Sequence, residues 1–212
     1  YLFEANSRYD GTSRFRSGKR WGIFPSFSAG WNIDKEQFWN GIAPYINTFK
    51  IRTSWGQLGN QQVDPYQDLA LLPLQTGKLN WIFNYGNNRH VGYTSAPGLI
   101  SPNLTWEKAI TKNLGINASF LKNALQWDFD YFVRTTKSMI GPAEPAPGVL
   151  GASVPSANNA TLRTKGWETS LRWKQDLQSG NLSYFVNLNL FDARTIVQQY
   201  QNATGLVGDW HP

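Results

Sequence analysis

Seven separate stretches of this chain set large apolar side chains at every second position, with polar or small residues between them. Successive side chains of a β-strand point to opposite faces, so a period of two marks a strand with one greasy and one wet face. In "YLFEANSRY" the residues Tyr1, Phe3, Ala5 and Tyr9 oppose Glu4, Asn6 and Arg8. In "WGIFPSFSAGW" Trp21, Ile23, Pro25, Phe27, Ala29 and Trp31 share one face, and Gly22, Phe24, Ser26, Ser28 and Gly30 the other. "FKIRTSW" sets Phe49, Ile51, Thr53 and Trp55 against Lys50, Arg52 and Ser54. "NLGINASF" sets Leu114, Ile116, Ala118 and Phe120 against Asn113, Gly115, Asn117 and Ser119. The same test holds for "LQWDFDYFV", "GWETSLRWK" and "SYFVNLNLF". About seven amphipathic strands are expected, and no segment of about 18 apolar residues is present to form a membrane helix.

The links between these strands alternate in length. "LKNAL" (121–125) and "DLQSGNL" (176–182) read as tight turns, and 34–48 as a moderate link with room for a short helical turn. Residues 58–104 and 137–160 are long links, the second containing the Pro/Gly/Ser-rich "EPAPGVLGASVPSANNA". A meander alternates this way when one end of the sheet is plain and the other elaborated. Transmembrane barrels of the outer-membrane type have that form. A β-sandwich is the soluble alternative, with the apolar face as its core. The apolar face is rich in Trp, Tyr and Phe, the residues of interfacial girdles, whereas sandwich cores favour Val, Ile and Leu.

Composition fits a chain of this kind. Aromatic residues make up 15% and charged residues only 16%, against roughly 25% charged in an average soluble domain. There is no cysteine among the 212 residues, which removes disulfides, thiolate metal sites and cysteine nucleophiles. The formal net charge is +6, but its basic residues are scattered; their one cluster, "RFRSGKR" (14–20), falls between two strand-like runs and reads as a solvated loop rather than a nucleic-acid site. The two histidines, His90 and His211, lack ligand spacing, so no metal or cofactor is expected. Both ends cut into alternating or open-ended sequence, as in a piece of a longer protein.

Asp128 and Asp130 are the residues that most invite a catalytic reading. Two carboxylates on one strand face lie about 7 Å apart, compatible with a glycosidase pair, with Glu107 as a further candidate. Their positions in the alternation are nonetheless those of Lys50, Arg52, Arg172 and Lys174, members of a polar face common to all the strands. That makes Asp128, Asp130, Arg172 and Lys174 lumen-facing polar groups in a barrel, together with Asn187 and Asn189. Trp127, Phe129, Tyr131, Leu171, Trp173, Leu188 and Leu190 then face lipid. In the long link, Trp81, Tyr85, Asn87, Asn88 and Arg89 combine aromatic faces with amide and guanidinium groups, which suits contact with a sugar or peptide.

The blocks "RYDGTSRF" (8–15), "FPSFSAGW" (24–31), "KIRTSWGQLGNQ" (50–61), "NLTWEK" (103–108) and "KGWE" (165–168) come in an order that resembles the SusC/RagA family of TonB-dependent outer-membrane transporters. The resemblance covers nearly the whole chain and falls on the C-terminal part of the family's barrel. It implies an all-β, antiparallel up-and-down transmembrane barrel segment: about seven strands of a plugged barrel of roughly 22. Residues 1–212 would be a partial barrel domain, with the plug domain and the C-terminal closing strands outside it. The implied function is import of oligosaccharides, or peptides, across the outer membrane of a Gram-negative bacterium, by a protein that is not an enzyme. The implied partners are a SusD-like surface lipoprotein, TonB through the missing N-terminal part, and outer-membrane lipid. No nucleic acid is implied. The rival reading is a secreted carbohydrate-binding β-sandwich module.

Overall fold

A computed structural model describes residues 1–65, 69–72, 74–75, 93–94, 97–101, 103–141, 147–150, 154–176 and 183–200. Among these residues nine strands follow one another: β1 (Leu2–Gly11), β2 (Trp21–Asn32), β3 (Ile46–Asn60), β4 (Leu74–Gln75), β5 (Tyr93–Thr94), β6 (Glu107–Phe120), β7 (Leu125–Gly141), β8 (Ala157–Asp176) and β9 (Ser183–Tyr200). The seven long ones form one antiparallel up-and-down sheet in the order β1-β2-β3-β6-β7-β8-β9. The short β4 and β5 pair with each other inside the link from β3 to β6. The seven strands expected from alternation are therefore the seven of the sheet. The described residues provide no second large sheet to face it, as a sandwich would require.

Register turns the alternation into faces. Phe49, Ala118, Trp127, Leu171 and Leu188 form a continuous cross-strand row from β3 to β9. Ile51, Ile116, Phe129, Thr169 and Leu190 form the next. Between these rows, on the opposite face, lie Lys50, Asn117, Asp128, Ser170 and Asn189. All the sequence-derived apolar and polar sets on β7, β8 and β9 are thus on opposite faces. Pro25 interrupts no ladder with β3, because the β2–β3 pairing runs only from Ser26 to Asn32 and Pro25 has no N–H to donate.

The links sort by end. Residues 12–20, 61–106 and 142–156 connect strands at one end; 33–45, 121–124 and 177–182 do so at the other. The 33–45 link contains two short 3-10 turns, Ile33–Lys35 and Gln37–Gly41. Trp39 of the second stacks on Phe49 at 5.2 Å and gives its indole N–H to the Ile46 carbonyl. In the 121–124 turn Leu121, Lys122 and Asn123 all take left-handed φ, at 53°, 56° and 69°. Asn123 is held there by its N–H to Asn47 Oδ1 and its Oδ1 accepting from Ser119.

Strands β7, β8 and β9 run further toward the long-link end than apolar alternation suggests. β8 begins at Ala157 and β9 ends at Tyr200, although the amphipathic stretches cover only 166–174 and 183–191. Backbone pairing continues there while the side chains turn to Lys, Arg and Thr, so a test that looks for apolar periodicity stops early. The second long link is likewise shorter than expected, because β7 reaches Gly141 and β8 begins at Ala157, whereas the first is only shifted along the chain, to 61–106.

A small core sits at the long-link end, where Phe15, Phe24, Val63, Leu104 and Trp106 pack together, with Ile140 against them. Trp106 meets Phe15 and Phe24 edge-on at 5.6 and 5.3 Å. The basic 14–20 loop is solvated except for Phe15, which is fully buried. Its cations tie the cluster down: Arg14 donates to the Val63 carbonyl, Arg20 to the Phe15 carbonyl and Lys19 to Asn103. The cluster is loop packing, held by charge-assisted bonds to backbone. Phe15→Ala should cost about 3 kcal/mol of local stability. Limited proteolysis of the intact protein is expected to cut faster in 12–20 and 61–64, while the midpoint of global unfolding stays nearly unchanged.

Candidate functional site

The polar face carries a charge network that spans three strands. Arg52 on β3 pairs with Asp130 on β7, although β6 lies between them. Register shows how: Arg52 and Asp130 are both directly opposite Gly115 of β6. A Cβ at position 115 would lie 2.7 Å from the Arg52 guanidinium carbon and 2.7 Å from Asp130 Oδ1. The absence of a side chain there opens the path along which the two charges meet. Arg52 Nε also donates to Asn117 Oδ1 at 3.1 Å, and Asn117 Nδ2 donates to Asp128 Oδ1. Asp128 and Asp130 are thus drawn into one network through Asn117 and Arg52.

Burial makes the pair matter. The Asp130 side chain keeps 10% of its exposure and Arg52 keeps 38%. Glu168 stands directly opposite Asp130 on the other side, a like charge that raises the need for the guanidinium. The second oxygen of Asp130 is buried without a hydrogen-bond partner. On the apolar face, Trp127 gives its indole N–H to Thr169 at 2.8 Å, and Thr169 donates to the Asp128 carbonyl at 3.0 Å. That polar handle locks a large aromatic into the apolar row without leaving a buried donor unpaired.

Aromatic residues of the large sheet also fall on the polar side of the alternation: Phe185 and Phe191 lie opposite Lys174 and Glu168, and glycines explain two others. Phe132 lies opposite Gly166, where a Cβ would come within 2.6 Å of the ring. Phe24 covers Gly22 in the same way before packing into the loop core. Rings laid over glycines shield backbone that has no side chain of its own.

The structure brings together Asp128 and Asp130 but gives them amide and guanidinium partners. Arg172 and Lys174 share their face nearer the short-link end, exposed, with Arg172 opposite Gln126 and Asn187. Glu107 accepts from Asn60 Nδ2 and from the Ile140 N–H, both at 2.7 Å, which fixes it as a clamp between β3, β6 and β7. Trp81, Tyr85, Asn87, Asn88 and Arg89 lie outside the described residues. Sequence reasoning missed Arg52 and Asn117 as partners of the two aspartates. Both were assigned to the polar face, and the one available signal was Gly115 among bulkier neighbours.

An open antiparallel meander with one aromatic-rich apolar face, one charged and polar face and all its long links at one end defines a piece of barrel wall. The chain belongs to the TonB-dependent receptor family: the family's sequence description, "TonB dependent receptor-like, beta-barrel", matches residues 1–210. It is 31% identical over 193 residues to the TonB-dependent receptor SusC of Bacteroides thetaiotaomicron, covering 89% of this chain and 19% of that one. It is 32% identical over 174 residues to a TonB-dependent receptor of Formosa agariphila, covering 82% and 16%. Its fold is similar to that of the RagAB peptide importer in the closed-closed state, with a TM-score of 0.77, 22% identity, and coverage of 93% of this chain and 20% of that one. The chain therefore spans about a fifth of the length of the relatives it matches.

The Arg52–Asp130 pair yields a double-mutant test. Arg52→Met and Asp130→Asn should each lower the stability of the intact barrel, with a coupling energy of about 1–3 kcal/mol between them. Gly115→Val should reproduce most of the loss of coupling, since its side chain fills the path. Thermal unfolding of the four-member cycle, with and without the Gly115 change, gives the measurement; additive effects would disconnect the two charges.

Proposed function

We propose that this chain is part of the wall of an outer-membrane, TonB-dependent importer, with the apolar rows against lipid and the polar rows against a hydrated lumen. The observation that carries this is the charge network of Arg52, Asn117, Asp128 and Asp130, built on one face of a sheet whose other face carries the rows Phe49 to Leu188 and Ile51 to Leu190. Family membership supports the same reading. A transmembrane strand needs only about 9–11 residues, so β8 and β9, with 20 and 18, extend well past the hydrocarbon. By analogy with barrels whose long loops are external, the end bearing 12–20, 61–106 and 142–156 is outside the cell.

In this reading Asp128, Asp130, Arg172 and Lys174 line the lumen. The wall offers a passing solute hydrogen bonds and charges that are held in place, and makes or breaks no covalent bond. The cargo is an oligosaccharide. A peptide is the second class, favoured by the likeness in fold to a peptide importer. Trp81, Tyr85, Asn87, Asn88 and Arg89, in the long external link, contact the cargo; stacking aromatics and planar amides serve either class. A SusD-like lipoprotein closes over the long-link end, and TonB acts through a part of the whole protein N-terminal to this sheet. The remaining strands of the barrel cover the free edges of β1 and β9, which a bilayer does not tolerate unpaired.

Two experiments test these assignments. This chain has no native cysteine, so single cysteines can report sidedness. In intact cells, an impermeant maleimide should modify Val149→Cys, at a position 98% exposed at the long-link end, and spare Lys122→Cys in the short turn. The opposite pattern would invert the orientation. The second experiment separates transporter from enzyme. Replacing both Asp128 and Asp130 by Asn should leave uptake of a neutral cargo within a few-fold of the wild type, whereas loss of a general acid or base costs ~10²–10⁴-fold. Purified protein that cleaves a glycan, and ceases to when Asp128 becomes Asn, would replace the importer by a glycosidase.

A further inference from the structure

We propose that the outward, apolar-side surface at the long-link end, built from Lys108, Lys112, Lys137, Arg163, Lys165 and Arg194, binds the phosphorylated head groups of lipopolysaccharide in the outer leaflet. The proposal rests on the reading of this face as lipid-facing and of the long-link end as external. It begins from the register. The row Leu114–Tyr131–Trp167–Asp192 closes the apolar band on that side. One step beyond it, the row is Lys112, Val133, Lys165 and Arg194. The next is Ile110, Thr135, Arg163 and Ile196, and the next sets Lys108 directly against Lys137. Three consecutive rows, about 13 Å of strand, change from aromatic and aliphatic to cationic.

Among the described residues these cations have little compensation. Asp192 is the one carboxylate at an apolar-side position of β6 to β9 among the described residues. None of the six cations makes an ion pair among the described residues. Lys108 faces Lys137 across one strand pair and Lys165 faces Arg194 across another, an arrangement that destabilises a sheet unless an anion lies between. Arg163 Nε is buried and has no acceptor. Lys108, Lys112, Lys137, Lys165 and Arg194 are exposed. A surface of this kind, immediately above a hydrocarbon-facing band, matches a ligand with acyl chains below and phosphates above. Phosphates supply the multiple acceptors that Arg and Lys satisfy best. The occupant is thus an amphiphile with phosphate at the level of the glycolipid head group, not a soluble anion.

The experiment uses the whole transporter carrying Lys112→Glu, Lys165→Glu and Arg194→Glu, purified from a membrane that contains lipopolysaccharide. Native mass spectrometry reads the retained glycolipid, and thermal shift follows titration with purified lipid A or with dephosphorylated lipid A. Each cation near an anionic lipid surface strengthens attraction about five-fold, so removing three should weaken lipid A binding about a hundred-fold. If the glutamates prevent insertion, the corresponding glutamine triple mutant carries the same expectation with a smaller loss. Wild-type protein should respond to lipid A and not to the dephosphorylated form, and Arg172→Gln with Lys174→Gln should leave retention unchanged. Equal retention by the triple mutant, or an equal response to both lipids, overturns the proposal. So does a change in oligomeric mass with lipid retention intact, which would assign the surface to a second copy. A nitroxide at Leu171→Cys reports separately on the membrane reading: broadening by dissolved oxygen places the face in lipid, and its absence overturns that reading and this proposal together.

Discussion

Lateral backbone pairing governs everything else in this chain. Each inner strand of the large sheet (β2, β3, β6, β7 and β8) is bonded on both sides, so the backbone has no freedom to present a side chain anywhere but on one of two faces. With period two and an unbroken antiparallel register, the choice of residue at each position becomes the choice of solvent. The aromatic rows and the charged rows are two consequences of one hydrogen-bond ladder. The sheet buries little by itself: its enclosed core is the loop cluster around Phe15 and Trp106. Both broad faces need partners of opposite character, the role proposed above for lumen water and lipid.

Within that ladder, glycine decides where large or charged side chains can lie across a neighbouring strand. At Gly115 the omitted side chain admits a guanidinium and a carboxylate; at Gly166 it admits a phenyl ring. The polar face is consequently not a uniform wet surface. It alternates bridged charges, such as Arg52 with Asp130, and shielded backbone, such as that under Phe132. Both devices stiffen the wall without a packed interior behind it. Asp130 bears the electrostatic tension of the arrangement, between Arg52 on one side and Glu168 on the other.

Fold and faces were legible because each depends on short-range pattern. The alternation of Leu125 to Val133 identifies a strand without knowledge of its neighbours, and the tight 121–125 turn identifies the next strand as antiparallel. The family blocks added the barrel, which pattern alone left in competition with a sandwich. What could not be read depends on register or on pairing without pattern. Arg52 and Asp130 are separated by 78 positions, and only the alignment of β3, β6 and β7 places both opposite Gly115. The extension of β8 back to Ala157 follows from its bonds to β7 and β9, not from its side chains. The two-residue strands β4 and β5 are too short for any periodicity. Phe24 and Phe132 looked like exceptions to the faces until their glycines were known.

Gly115 also carries information for assembly. A strand that slips by one residue against its neighbour moves every side chain to the wrong face, and Asp128 and Asp130 would then enter the apolar rows. A slip by two restores the faces, so alternation cannot detect it. Such a slip of β7 on β6 would set Asp130 opposite Asn113 or Asn117 while Arg52 stays opposite Gly115, so the two charges would no longer meet over the glycine. The missing side chain thus distinguishes the native alignment from its nearest look-alikes, and makes a three-strand ion pair the proofreading contact of the barrel wall.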